Sequence, residues 1–219
     1  MATDWFLWQL ADSGFPAGGF AHSWGLEAAR QKGELRGASD LRRLLSEIVW
    51  QAAFAGLPLV NAAHRRPEDL PALDARCESF LVNHVANRAS RTQGRALLST
   101  CEKSFPGPAL ARLASEEKGL KRHYAPIFGA GLGALGCDLP QTQRLYLYLA
   151  LRGALSAAVR LSVVGPHEAQ KLQAECSSTL DEALSRCASL DVEDLAQVSP
   201  LMDLIQATHD DLYSRLFQS

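Results

Sequence analysis

The chain is poor in features that mark specialised classes of protein. Its 22 lysine and arginine residues are balanced by 24 aspartate and glutamate residues, so no basic excess indicates nucleic-acid binding. Its five cysteines include no C-x-x-C pair and predict buried thiols in a reducing compartment. The N-terminus lacks the basic start of a signal peptide, and we expect no apolar run long enough to span a bilayer. These absences predict a cytoplasmic protein with neither a nucleic-acid nor a membrane partner.

Motifs for catalysis are also scarce. The six histidines include no i, i+4 pair and no H-E-x-x-H, so no local metal site is predicted, although a site assembled from several chains stays open. Residues 131–136, GLGALG, match G-x-G-x-x-G, but no strand is predicted before them and Pro140 follows. We favour helix packing for these glycines, with Gly129, Gly133 and Gly136 on one helix face. A nucleotide-binding all-α enzyme is the alternative.

A helical period runs along most of the chain. Residues 41–49 and 201–212 each carry an apolar stripe at three- and four-residue steps, and residues 166–187 read as one helix. Residues 144–152, RLYLYLALR, alternate like a strand, but they continue into alanine-rich sequence without a partner strand, so we interpret them as a central buried helix. The predicted fold is all-α, one domain over residues 1–219 with about nine to ten helices.

Capping and breaking residues predict where several helices begin and end. Asp4 and Ser39 are predicted N-caps, and Ser199, followed by proline, is a third. Pro58 should interrupt or kink a helix, and Gly119 should stop one.

Residues 14–29, GFPAGGFAHSWGLEAA, form a glycine- and proline-rich loop followed by a helix predicted to begin near Ser23. A P-loop needs a lysine after its glycines, and none is present. Anion binding by helix N-terminal amides stays open. A tight corner between helices is the plainer interpretation. A protein-binding corner is the third, because Phe15, Phe20 and Trp24 are large apolar residues.

Two features are not explained by an ordinary core. Arg152 and Arg160 lie in the most apolar helix, where a buried arginine needs a partner; they are either helix-end or surface residues, or they lie at an interface between subunits. Leu216 and Phe217, beside Arg215, are apolar residues close to the end of the sequence. They either dock on the chain's own core or become ordered when a partner binds.

Five segments, taken in order, resemble the urease accessory protein F family. They are WQLADSGFPAGGFAHSWGLEAA (8–29), ASRTQGRALL (89–98), HYAPIFGAGLGALG (123–136), LYLYLALRGALSAAVRLSVVGP (145–166) and ATHDDLYSRLFQS (207–219). The resemblance covers nearly the whole chain. It implies an all-α, cytosolic, non-catalytic adaptor that needs no cofactor. Its implied partners are urease accessory protein D/H, the nickel-binding GTPase accessory protein G, apo-urease and a second copy of the chain. A direct nickel carrier using His22 or cysteines is the alternative.

The resemblance also assigns residues. The tail group within residues 209–219 is expected to bind the D/H protein, with the N-terminal helix near the same surface; it comprises His209, Tyr213, Arg215, Leu216 and Phe217. The signature-loop group, within residues 1–33, comprises Pro16, Gly18, Gly19, Phe20, Ser23, Gly25, Leu26 and Glu27. Asp210 stands where the family usually has glutamate, and His22 stands at a variable position, so no essential ligand role is expected for it.

Overall fold

The computed structural model describes residues 4–115 and 119–219. The described residues form α-helices and no β-strand, which confirms the all-α class. The first six helices are α1 Asp4–Ala11, α2 Leu26–Gln31, α3 Ala38–Ala55, α4 Leu57–Arg65, α5 Leu70–Phe80 and α6 His84–Ser104. The next six are α7 Pro108–Ser115, α8 Tyr124–Ala134, α9 Leu139–Arg160, α10 Pro166–Glu175, α11 Ser177–Cys187 and α12 Pro200–Ala207. Short 3-10 helices lie at Gly19–Ala21, Pro67–Asp69, Val192–Asp194 and Thr208–Asp211.

The helices within these ranges number twelve, more than expected, because two predicted helices are each divided. The chain breaks at Gly56 between α3 and α4, and Pro58 then lies in the first turn of α4, where its missing N–H is not needed. Residues 166–187, predicted as one helix, form α10 and α11 with Cys176 between them. The predicted interruption near Pro58 is confirmed.

Neither Ser39 nor Ser199 caps its helix with a side-chain hydrogen bond. Gly37 occupies the N-cap of α3 without a side-chain hydrogen bond, so the prediction that Ser39 caps this helix is wrong. Ser199 does occupy the N-cap position of α12, but its hydroxyl donates to the carbonyl oxygen of Glu47 at 3.1 Å instead of capping. The side chain of Asp4 and the residues directly before Gly119 lie outside the described residues.

The centre of the fold is α9, which packs against α3, α4, α8 and α10. The strand-like alternation of residues 144–152 is therefore helical, as predicted, and Leu147, Leu151 and Ala154 are buried in the core. Contrary to expectation, residues 38–65 are long and apolar enough to cross a membrane by length and composition alone. However, 67% of their apolar window is buried inside the protein, as is typical of core helices.

Glycines let α8 approach α4 closely. A Cβ atom on Gly129 would lie 2.2 Å from the carbonyl oxygen of Val60, and one on Gly133 would lie 3.3 Å from the ring of His64. Gly136 follows the helix with φ 83°, so the prediction that it shares the packing face is wrong. The GLGALG segment therefore lies at a helix–helix contact and its helix end.

A matched pair of substitutions tests this packing. Gly129→Ala should lower the stability by about 1–3 kcal/mol, because the added methyl group meets fixed backbone. Gly131→Ala should leave it unchanged or raise it by about 0.5–1 kcal/mol, because its Cβ would meet nothing within 4 Å and alanine favours helix. Urea denaturation measures both. Equal effects of the two changes would contradict the packing account.

Candidate functional site

The N-terminal corner, defined here as residues 14–31, turns the chain between α1 and α2. Gly18 and Gly25 have φ values of 78° and 81°, in the left-handed region that favours glycine. A Cβ on Gly18 would lie 3.1 Å from Ala96 of α6, and one on Gly25 would lie 3.2 Å from Gln206 of α12. Both glycines are therefore required by backbone angle and by close packing. The helix begins at residue 26, later than predicted.

The other signature-loop residues divide between anchoring and exposure. Thr100 of α6 donates from its hydroxyl to the carbonyl oxygen of Pro16 at 2.9 Å. The 3-10 helix Gly19–Ala21 follows, and it presents Phe20, whose surface is 68% exposed. Leu26 is completely buried in the core. The loop is thus fixed at its base and leaves one aromatic ring accessible.

The C-terminal tail, residues 209–219, lies on the corner. The amide and the hydroxyl of Ser23 both donate to the carbonyl oxygen of Ser219, at 2.7 and 3.0 Å. The backbone amide of Gln218 donates to the carbonyl oxygen of Ala21 at 2.9 Å. The side-chain amide of Gln31 donates to the carbonyl oxygen of Ser214 at 2.7 Å. The two segments singled out at opposite ends of the sequence therefore form one structural unit, which we call the corner–tail unit.

Glu27 is the centre of this unit. Its carboxylate is buried and accepts the backbone N–H groups of Leu216 at 2.6 Å and of Phe217 at 3.1 Å. It also lies 3.1 Å from Nε2 of His209, a completely buried ring. One side chain from α2 thus accepts hydrogen bonds from three donors of the tail. These bonds matter because a buried polar group is unfavourable without a hydrogen-bond partner.

The two arginines of α9 also hold the N-terminal segment. The guanidinium of Arg160 lies 3.7 Å from the ring centroid of Phe20 and 4.2 Å from that of Phe217, and it donates to the carbonyl oxygen of Phe20 at 2.5 Å. Arg152 donates to the carbonyl oxygen of Ala11. Both therefore have partners within the chain, and their role at a subunit interface stays a prediction.

Asp210 joins the tail to α6. Arg88 donates to its two carboxylate oxygens at 2.8 and 3.0 Å, while His84 and Arg215 lie 3.2 and 3.4 Å away. The hydrogen bonds from Arg88 lower the pKa of Asp210 to about 2. This cluster could not be predicted from the sequence, because the partners of Asp210 on α6 are more than a hundred residues away in the chain.

The family model described as UreF matches residues 35–177. The chain belongs to the UreF family of urease accessory proteins. It is 38% identical to "Urease accessory protein F" of Arabidopsis thaliana, covering 98% of this chain and 92% of that protein. It is 30% identical to the UreF protein of Mycobacterium tuberculosis H37Rv, over 97% of each chain. It is 27% identical to that of Bacillus sp. strain TB-90, again over 97% of each chain.

His22 connects the corner to the last residue of this UreF-family chain. Its Nδ1 lies 2.5 Å from the hydroxyl oxygen of Ser219. Its Nε2 is buried and has no hydrogen-bond partner among the residues that the structure describes. Burial, with Arg88 and His209 nearby, lowers the pKa of His22 to about 4. In the same residues, no group of three or more His, Cys, Asp or Glu side chains could hold a metal ion.

The depressed pKa of His22 predicts acid sensitivity. The unfolded chain binds a proton near pH 6.5 and the folded chain only near 4, so stability is lost as the pH falls through this window. The loss should reach about 3 kcal/mol. Urea denaturation at pH 7 and pH 4.5 measures it, and His22→Gln should remove this part of the pH dependence. An identical slope in the variant would contradict the assignment. The stability that Asp210 gains from its lowered pKa is present at both of these pH values, and it is lost only as the pH falls from about 4 towards 2.

The exposed residues of the unit are those available to a partner. Tyr213 is fully exposed, Leu216 is 54% exposed and the Arg215 side chain is about half exposed. Phe217 and His209, also predicted to bind a partner, are instead buried against the corner in this arrangement. On α12, residues 201 and 204 of the predicted apolar stripe are exposed leucines. We define the exposed set as Leu201, Leu204, Tyr213 and Leu216.

Proposed function

We propose that this chain is a non-catalytic adaptor in urease maturation, working in the cytoplasm. Membership of the UreF family supports the role in urease maturation. The observation that carries the adaptor role is the exposed set. Tyr213 and Leu216 lie on a tail whose backbone is held by Glu27, and the other two leucines lie on the neighbouring helix α12. Exposed apolar side chains on a rigid frame are typical of protein-binding surfaces, because little conformational entropy is lost on binding.

The partner proposed for the exposed set is urease accessory protein D/H. Tyr213 and Leu216 supply apolar contact area, and Arg215 between them supplies a charged group that can pair at the rim. Phe217 and His209 act differently from the residues beside them: they hold the tail from inside, so they affect the partner only through the tail's conformation.

The remaining partners complete the proposal. A homodimer of the chain, with Arg152 and Arg160 near the subunit interface, would recruit the nickel-binding GTPase accessory protein G to apo-urease for nickel insertion. Held against the D/H protein in one geometry, the GTPase would be biased between its nucleotide states by differential binding. The chain itself contributes no catalytic group and no resident cofactor.

Reconstitution in cells tests this function. Apo-urease is expressed with the D/H and G proteins in nickel-containing medium, with or without this chain. We expect active, nickel-loaded urease only when the chain is present, measured as urea hydrolysis and as nickel per urease active site. Full nickel loading without the chain would contradict the proposal.

A further inference from the structure

A groove of about 500 Å³ lies between the N-terminal corner and α9. One wall is the glycine-rich part of the corner, including Gly18 and Phe20, and the opposite wall comes from residues 149–157 of α9. The lining is mostly apolar, and the corner is held to α6 by the hydrogen bond from Thr100 to Pro16. The groove therefore has the size and the preformed shape that are typical of small-molecule sites.

Arg152 brings a positive charge to this groove. Its guanidinium donates one hydrogen bond, to the carbonyl oxygen of Ala11, and it has no carboxylate within ion-pair distance among the described residues. Burial raises the pKa of Tyr124, and Arg152 is close enough to oppose this rise, so the guanidinium lies near the hydroxyl of another groove residue. A partly buried cation without a counter-charge favours an anionic ligand.

Trp24 places an N–H group beside Arg152. A Cβ atom added to Gly153, the next residue of α9, would lie 3.1 Å from Nε1 of Trp24, and both residues line the groove. Within residues 4–115 and 119–219 this N–H has no hydrogen-bond partner, and it is not sealed inside the protein. A second unused donor therefore lies at the same place on α9 as the guanidinium.

The backbone that carries this indole is strained. Trp24 has φ 56°, in the left-handed region that residues with large side chains rarely adopt. Its neighbours hold it there: the hydroxyl of Ser23 donates to the carbonyl oxygen of Ser219, and Gly25 packs against Gln206. Strain that the surrounding structure maintains is common at ligand-binding positions, where it fixes a side chain in one orientation.

Two further polar side chains line the groove. Oε1 of Gln93 would lie 3.9 Å from a Cβ atom on Gly19, which places the side-chain amide at the corner wall. This amide and the hydroxyl of Tyr124 also have no hydrogen-bond partner in the described part of the chain. Guanidinium and indole N–H groups donate and never accept, so the ligand must supply acceptors. Arg152 is the one charged residue among the described groove residues, so the ligand should carry a single negative charge.

We propose that this groove binds a small organic monocarboxylate with an apolar body, whose carboxylate accepts hydrogen bonds from Arg152 and from the indole N–H of Trp24. Phe15 and Phe20 of the corner pack against the apolar part of the ligand. One guanidinium balances one carboxylate, whereas a phosphate group would bring additional charge that no described groove residue balances. An uncharged ligand would leave the guanidinium without a counter-charge. This binding activity is separate from the proposed role in urease maturation.

A comparison of phenylacetate and phenylacetamide tests the site in the full chain, because the two probes have nearly the same shape and differ in charge. NMR titration of the isotope-labelled protein should show that phenylacetate binds about tenfold more tightly. It should also shift the indole N–H resonance of Trp24, which the Trp24→Phe variant identifies. Arg152→Met should remove the preference, and Arg152→Lys, which keeps the charge, should retain part of it. Arg144→Met, at an exposed position of α9 outside the groove, is the matched control and should bind like wild type.

Blocking the groove gives a second test. Ser156 is exposed and lines the groove, so the ring of Ser156→Phe should occupy the site without disturbing the core, and both probes should lose their binding. Circular dichroism confirms the fold of this variant. Four results would overturn the proposal: no shift of the Trp24 indole at millimolar phenylacetate, equal affinity for the two probes, a preference that persists in Arg152→Met, and unchanged binding in folded Ser156→Phe. A changed oligomeric state of Arg152→Met with unaltered probe binding would assign Arg152 to a subunit interface instead.

Discussion

Deleting residues 214–219 should reduce binding of urease accessory protein D/H at least about 100-fold, a loss of about 3 kcal/mol. The deletion removes Arg215 and Leu216 directly. It also removes the backbone N–H groups that Glu27 holds, so the remaining tail loses its docked conformation. A partner would then have to order the segment itself, at a cost in conformational entropy. Calorimetric titration with the purified D/H protein measures the loss.

Point variants separate surface contact from tail docking. Tyr213→Ser and Leu216→Ser remove exposed apolar area but keep the tail's hydrogen bonds with the corner, so each should weaken binding about tenfold or more without altering the melting temperature. Ala109→Asp is the matched control, because it adds a charge to an exposed position on α7, which packs on α6 and α8 away from the tail. Normal binding by the truncated chain would show that the tail is not the binding segment.

Replacing Glu27 by alanine should lower the free energy of unfolding, or of tail release, by about 3 kcal/mol. The change leaves the N–H groups of Leu216 and Phe217 and the ring of His209 without their buried acceptor. If the tail detaches before the core unfolds, the free energy of tail release is smaller than the free energy of unfolding, and the substitution then lowers the free energy of tail release. Urea denaturation monitors the core, and tryptic cleavage after Arg215 monitors the tail.

Two conservative variants sharpen the Glu27 test. Glu27→Gln keeps the shape but offers only one acceptor oxygen, so it should fall between wild type and Glu27→Ala. Glu27→Asp keeps both oxygens but shortens the side chain, so it should also release the tail in part. Wild-type stability together with wild-type resistance of the Arg215 bond in Glu27→Ala would contradict the central place of this carboxylate.

The all-α fold class and the buried central helix could be predicted, because both depend on local periodicity in the sequence. The stretch at residues 144–152 alternated like a strand, yet its alanine-rich continuation correctly favoured α9. Helix starts were less predictable: Ser39 had the right side chain for a cap, but Gly37 occupies that position. A cap depends on one residue's backbone angles, which the hydrophobic pattern does not determine.

The candidate site was predicted in its parts but not in its assembly. The signature loop and the tail were both singled out, since glycines and terminal apolar residues are visible in sequence. Their contact through Glu27 and Ser23 joins residues about 190 positions apart, and one sequence contains no signal for such a pairing. For the same reason the sequence left open whether Phe217 docks on the chain's own core or binds a partner; in the structure it is buried beside Arg160.

Hydrogen exchange of the full chain, alone and bound to the D/H protein, tests the central claim most directly, because it maps the surface that the partner covers. The account predicts added protection in peptides covering residues 200–207 and 209–219, including the backbone around Leu204 and Leu216. Peptides of α7 and α11, which lie apart from the corner–tail unit, should exchange at unchanged rates. Protection confined to α7 or α11, with the tail unchanged, would contradict the account.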